Sequence, residues 1–210
     1  MRGTALDIFG HTEERRSERK LISEYRSCVE VLLKSLQIDN HPLALEIASL
    51  PEQTLRSHLM SKRLDYVQIA PAGVKALGGV YGYVLQSDLS PVLVDLVYLR
   101  VSQINNCAYC LDMHTRDLLK KGVKLEKLAL VQAWREAGHL FDDRERAALA
   151  WAESVTLVAQ TGVPDAAFEA ARAVFNEREV VDLTIAISLM NTYNRMAISF
   201  RNTPQAVMGT

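Results

Sequence analysis

The sequence predicts an all-α chain of 210 residues. Three observations carry this expectation. Gly and Pro are scarce, at 10 and 6 residues, so few helix interiors are interrupted. Apolar residues recur with a period of about 3.6 in segment after segment, which gathers them on one helix face. No convincing run of apolar–polar alternation reads as a strand.

The elements follow in order. Leu21, Ile22, Tyr25, Cys28, Val29, Leu32, Leu33 and Leu36 share a face and predict a helix over 21–36. Asn40-His41-Pro42 opens another, with Leu43, Ile47 and Leu50 as its stripe and Pro51 as its stop. Pro71 opens a helix toward Gln86, in which Gly78-Gly79 and Gly82 would permit close packing. Ser90 caps and Pro91 starts a helix to about Ile104, with Leu93, Leu96, Val97, Val101 and Ile104 turned inward. Asn105-Asn106 make a tight break, and a helix over 107–121 follows, with Gly122 just past its end. Further helices are expected near 125–137, 142–160, 164–175 and 177–200. The last is apolar on most sides through 180–187, as suits a central helix or a subunit interface. Trp134 and Trp151 read as core residues. The expected division is a helical N-terminal extension over 1–58 and a main domain over 59–210.

Composition excludes several classes of function. The 24 basic and 25 acidic residues leave a net charge of -1, with no basic excess for nucleic acid and no acidic tail. The run Glu13 to Lys20 mixes both signs, as a solvated helix face does. No stretch of about 18 apolar residues is present, so no membrane span is expected. The N-terminus lacks the apolar region of a secretory signal, which makes a cytoplasmic location the expectation. Three cysteines in such a chain do not form a disulfide framework.

Two of those cysteines carry the chemistry. Cys107 and Cys110 are i,i+3, and Cys110 and His114 are i,i+4, so the three groups form one stripe on a helix. Cys107 sits at the helix N-terminus, where unpaired N–H groups and the helix dipole favour a thiolate. His114 is one turn from Cys110 and is placed to serve it as base or proton relay. If the helices over 91–104 and 107–121 form an antiparallel hairpin, Asp95 and His114 lie nearly equidistant from the turn. At 1.5 Å per residue their mismatch is roughly 3 Å along the axis. Asp95 would then hydrogen-bond His114, directly or through a water, and fix its tautomer.

Other readings of these residues are weaker. Zinc would find three donors in Cys107, Cys110 and His114, but a fourth is missing, because neither His58 nor His139 has ligand spacing. A c-type haem needs histidine directly after the second cysteine, where Leu111 stands. Cys28 lies on an apolar face and reads as core; His11 and His41 read as surface or capping groups. No metal and no cofactor are expected.

The run from Leu99 to Thr115, containing Cys107-Ala108-Tyr109-Cys110 and His114, resembles the core of alkylhydroperoxidase D (AhpD), in the peroxidase-related, carboxymuconolactone decarboxylase-like branch. Glu145 to Glu153 and Asn191 to Arg201 agree with it, so the resemblance covers about 60–205. It implies an all-α fold, trimers or hexamers with the hairpin near a subunit interface, and thiol peroxidase chemistry. By position, Cys110 would be the peroxidatic cysteine, Cys107 the resolving one and His114 the relay histidine. Asp95 stands where the family has a glutamate, one methylene longer. Tyr109 stands where founding members have a histidine, which removes one proton carrier. The cysteine pair disfavours lactone decarboxylation. Within the extension, Leu6 to Gly10 and Asn40 to Gln53 resemble the C-terminal tail of indolepyruvate ferredoxin oxidoreductases, without that enzyme's cofactor sites.

The function expected is therefore reduction of a hydroperoxide by a homo-oligomeric protein, with a lipoyl group or thioredoxin-like protein as dithiol donor. The alternative is a redox-sensing oligomer or a general disulfide oxidoreductase.

Overall fold

A computed structural model describes residues 61–208 and, before them, Ser23 and Ser27, both helical and exposed. The helices expected over 21–36 and from Asn40 otherwise lie outside the described residues, as do Cys28, His11, His41 and His58. The chain divides into two units, Met1–Ser61 and Lys62–Thr210.

The helices of the second unit are α1 (Tyr66–Ile69), α2 (Pro71–Leu85), α3 (Pro91–Ile104), α4 (Ala108–Lys120), α5 (Leu125–Ala129), α6 (Asp143–Thr156), α7 (Val158–Thr161), α8 (Asp165–Arg172) and α9 (Glu177–Phe200). No strand occurs among the described residues. The all-α expectation holds.

Local chemistry sets the boundaries. Ser90 accepts from the Leu93 N–H, and Pro91 occupies the first turn of α3, where its missing N–H has no cost. α6 and α9 each start in a capping box, Asp142 with Glu145 and Asn176 with Glu179. The α3–α4 turn needs one left-handed residue, and Asn106 supplies it at φ 54°. Gly122, at φ 83°, follows the end of α4 as expected.

α3 is the buried element. Nine of its fourteen residues are buried. One side packs Leu96 and Leu99 with Leu118, Leu128, Val131, Trp134, Phe141 and Leu149. The other packs Val97, Tyr98 and Val101 with Trp151, Phe175, Leu183, Ile187 and Met190. α4, α6 and α9 enclose it. α9 packs on α2, α3, α4, α6 and α8, and is the central helix that its apolar segment promised, although Val181 remains exposed.

Three expectations need correction. The helix near 125–137 is α only to Ala129. It continues as 3₁₀ turns at Val131–Ala133 and Gly138–Leu140. The Arg146 guanidinium donates to the carbonyls of Trp134, Arg135 and Gly138, and so satisfies backbone groups that the irregular segment leaves without helical partners. The helices over 142–160 and 164–175 are shorter than expected. α6 stops at Thr156, and a separate turn, α7, ends on left-handed Gly162; α8 stops at Arg172. Finally, a Cβ at Gly78, Gly79 or Gly82 would have nothing within 4 Å, so these glycines make no close approach among the described residues. α2 has one buried residue, Val84, and is tied to α9 by Tyr83 Oη donating to Asp182 Oδ1 at 2.6 Å.

Candidate active site

α3 and α4 form the antiparallel hairpin that the Asn105-Asn106 break implied. Its tip is stapled to α9: Asn105 Nδ2 donates to Asn191 Oδ1 and to Asn194 Oδ1, each at 2.9 Å. Asn194, fully buried, donates in turn to Ser102 Oγ at 3.0 Å. α9 and α3 thus together hold the turn from which Cys107 starts α4.

Cys107 is the N-cap of α4, one residue outside the helix expected to contain it. Both cysteines are free thiols, 1 % and 2 % exposed. Their charges are unequal. The Cys110 thiol donates to Cys107 and, against the cost of burial, holds its pKa down to about 7. The N–H groups of Cys110 and Tyr109 and the Asn194 side chain act in the same direction, as a helix N-terminus does. Cys110 is pushed up by the same hydrogen bond and by burial. Within the reduced pair negative charge is therefore favoured on Cys107 and the proton on Cys110.

Access is distributed the other way. A cavity of about 350 Å³ opens beside the hairpin, lined by Cys110, His114 and Asp95 together with residues of α1, α2 and α9. Cys107 lies behind it and does not line it. His114 is buried, with Nδ1 3.5 Å from Asp95 Oδ1. Neither ring nitrogen has a hydrogen-bond partner among the described residues. Asp95 thus faces His114 as the hairpin count implied, but the direct bond is not made.

Asp95 has a second partner, which the residue spacing had not been read to include. Lys121, at the C-cap of α4, pairs with Asp95 Oδ2. Burial raises the Asp95 pKa, but the nearby His114 ring and the Lys121 ammonium outweigh it and hold the carboxyl below its ordinary value. The signal was present: Lys121 is i,i+7 from His114, on the same helix face. Ser102 and Tyr98 stand at i+7 and i+3 from Asp95 on α3; the Tyr98 ring lies 5.2 Å from that of His114. Asn194 lies in the stretch 191–201 that carries part of the family resemblance, but nothing in its spacing points at the cysteines. His139 is exposed and remote from this cluster in the chain. Among the described residues no group of three or more His, Cys, Asp and Glu side chains converges as a metal site.

Comparison with known proteins agrees with this fold. Residues 71–154 match the carboxymuconolactone decarboxylase family. The uncharacterized protein YdfG of Bacillus subtilis is 36% identical over 143 residues, which are 68% of this chain and 97% of that protein. A protein of unknown function from Agrobacterium tumefaciens, likened to the antioxidant defence protein AhpD, superposes with a TM-score of 0.66 at 39% identity. The match covers 69% of this chain and 98% of that one. An uncharacterized peroxidase-related protein from Silicibacter shares the fold at 22% identity and a TM-score of 0.58, covering 75% of this chain and 87% of that one. Residues 1–55 match a family of unknown function (DUF6537), a description that names no oxidoreductase tail. The chain belongs to the carboxymuconolactone decarboxylase family, on its AhpD-like side.

Proposed function

We propose that the protein is a thiol-dependent hydroperoxide reductase with Cys110 as the attacking sulfur. The observation that carries this is the convergence of Cys110, His114 and Asp95 on one cavity with Cys107 directly behind. The Agrobacterium protein's likeness to an antioxidant defence protein supports it.

The steps follow from the charge distribution. The Cys110 proton passes along its hydrogen bond to the Cys107 thiolate, leaving the thiolate on Cys110. That thiolate attacks the terminal oxygen of ROOH; the O–O bond breaks, Cys110 becomes a sulfenic acid, and RO⁻ takes a proton by way of His114 and leaves as ROH. The Cys107 thiol then attacks the sulfenic sulfur, forming the disulfide and releasing water. A dithiol donor, lipoyl or thioredoxin-like, returns the pair to the reduced state by exchange and becomes a disulfide itself. Asp95 positions His114. No metal or cofactor takes part in this scheme, and the working unit is a homo-oligomer.

The test is consumption of hydroperoxide in the presence of a dithiol. Turnover that is lost in Cys110→Ser and strongly reduced in Cys107→Ser supports the scheme. Turnover unchanged in Cys110→Ser overturns it.

A further inference from the structure

The cavity in front of Cys110 is much larger than hydrogen peroxide requires. A water molecule occupies about 30 Å³, and an apolar cavity of about 150 Å³ holds benzene; this one measures about 350 Å³. Its wall is also specific. Tyr66, Tyr81, Tyr109 and Tyr193 contribute four aromatic rings from four helices, and Met113 and Met190 add two thioethers. Aromatic rings favour offset or edge-to-face contact with another ring, and thioether sulfur favours a ring edge.

The charges act in the same direction. Asp95 and Asp117 face the cavity against one ammonium, Lys121, which Asp95 already engages. Asp117 pairs in turn with Lys120, so a ligand carboxylate would find no uncommitted ammonium in this wall and would be buried without a partner charge. One polar feature remains open. Asn202 Nδ2 donates to Tyr66 Oη at 2.8 Å, while its Oδ1 is buried and has no hydrogen-bond partner among the described residues. An amide oxygen is an acceptor, so it calls for a ligand that donates, as the O–H of a hydroperoxide or alcohol does.

We infer that the site selects neutral hydroperoxides carrying an aryl group, and discriminates against small alkyl hydroperoxides and against those bearing a carboxylate. The inference rests on the peroxide-reductase reading for its chemistry. Its ligand recognition can be tested without turnover, because the product alcohol keeps the aryl group and the O–H.

Two measurements on the full chain separate recognition from turnover. In the first, calorimetric titration of the reduced protein compares 2-phenylpropan-2-ol, tert-butanol and a hydroxylated C18 fatty acid. The aryl alcohol is expected to bind at least tenfold more tightly than either. In Tyr109→Leu and in Tyr193→Leu, which keep apolar volume but remove a ring, that preference is expected to fall several-fold. Two partly buried positions are used so that one misfolded variant, recognised by its melting curve, leaves the other informative. In the second, kcat/KM with a lipoyl dithiol is compared for cumene hydroperoxide and tert-butyl hydroperoxide, with an expected ratio of at least ten. Equal binding of the three alcohols, tightest binding of the fatty acid, or a preference unmoved by both leucine variants overturns the inference. Selective binding of the aryl alcohol without turnover of either peroxide overturns the peroxide-reductase reading and leaves the binding site standing. Equal turnover of both peroxides overturns the selectivity and leaves the reductase reading standing.

Discussion

Asp95 and His114 face each other across the α3–α4 hairpin at 3.5 Å without a direct hydrogen bond. A carboxylate at that distance still orients an imidazole, and it does so more loosely than one in contact. His114→Gln should therefore lower kcat/KM for peroxide by on the order of 100-fold, and Asp95→Asn by on the order of tenfold. The double variant should be little worse than His114→Gln alone, because Asp95 acts through the histidine. Steady-state kinetics on the four proteins check this; additive losses would separate Asp95 from the relay.

The thiolate should be visible directly. With Cys107 near 7 and Cys110 pushed up, absorbance of the reduced protein at 240 nm should rise by one thiolate as pH increases through about 7. The sign is fixed: protonated below that pH, ionised above it. In Cys110→Ser the largest stabilising contact, the Cys110 thiol, is replaced, and the midpoint should move. A midpoint for wild type at the ordinary thiol value would remove the charge separation on which the proton transfer depends.

Lys121 joins His114 in keeping Asp95 ionised in a buried setting. Its removal in Lys121→Met should destabilise the fold by about 1–2 kcal/mol at neutral pH, a figure reduced because the lysine is partly exposed. The linkage has a definite direction. The Asp95 pKa is depressed, so its contribution is complete above the ordinary carboxylate value and is lost as pH falls through its lowered folded value. Urea unfolding of wild type and variant at pH 7 and at pH 3 should show a gap that narrows on acidification.

The buried amide at the hairpin tip is the structural counterpart. Asn194→Ala removes the donor to Ser102 and one acceptor for Asn105, and leaves a cavity. A loss of about 2–3 kcal/mol is expected, which for a chain of this size lowers Tm by roughly 5–10 °C. Thermal unfolding followed by circular dichroism measures it. Because Asn194 also lowers the Cys107 pKa, the thiolate midpoint should rise in the same variant.

Much of this arrangement was legible in the chain. The α3 boundaries, Pro91 and Ile104, were marked by Ser90-Pro91 at one end and Asn105-Asn106 at the other. Counting residues from that break was enough to bring Asp95 to His114, since helical rise is invariant. What could not be counted came from other elements. The Asn194 contact with Ser102 spans 92 residues and has no local signature. Arg146 reaches back from α6 to the carbonyls of Trp134, Arg135 and Gly138, contacts that have no local signature in the stretch 125–137. Periodicity reports which face of a helix is apolar, not whether that face is covered, so the open space around the α2 glycines was invisible. The split of charge and access between the two cysteines needed the position of their sulfurs, which spacing alone does not supply.

Asn106, held at φ 54° immediately before Cys107, narrows the residues that can stand there. Left-handed backbone costs an ordinary L-residue roughly 1–2 kcal/mol, while Gly, Asn and Asp adopt it readily. Asn106→Gly should be tolerated and Asn106→Val should not. The fingerprint by which other chains with this hairpin can be found is therefore one residue longer than the cysteine pair: a turn-forming Asn, Gly or Asp, then Cys-x-x-Cys-x-x-x-His. That added letter comes from backbone geometry and is independent of whatever reaction the sulfurs perform.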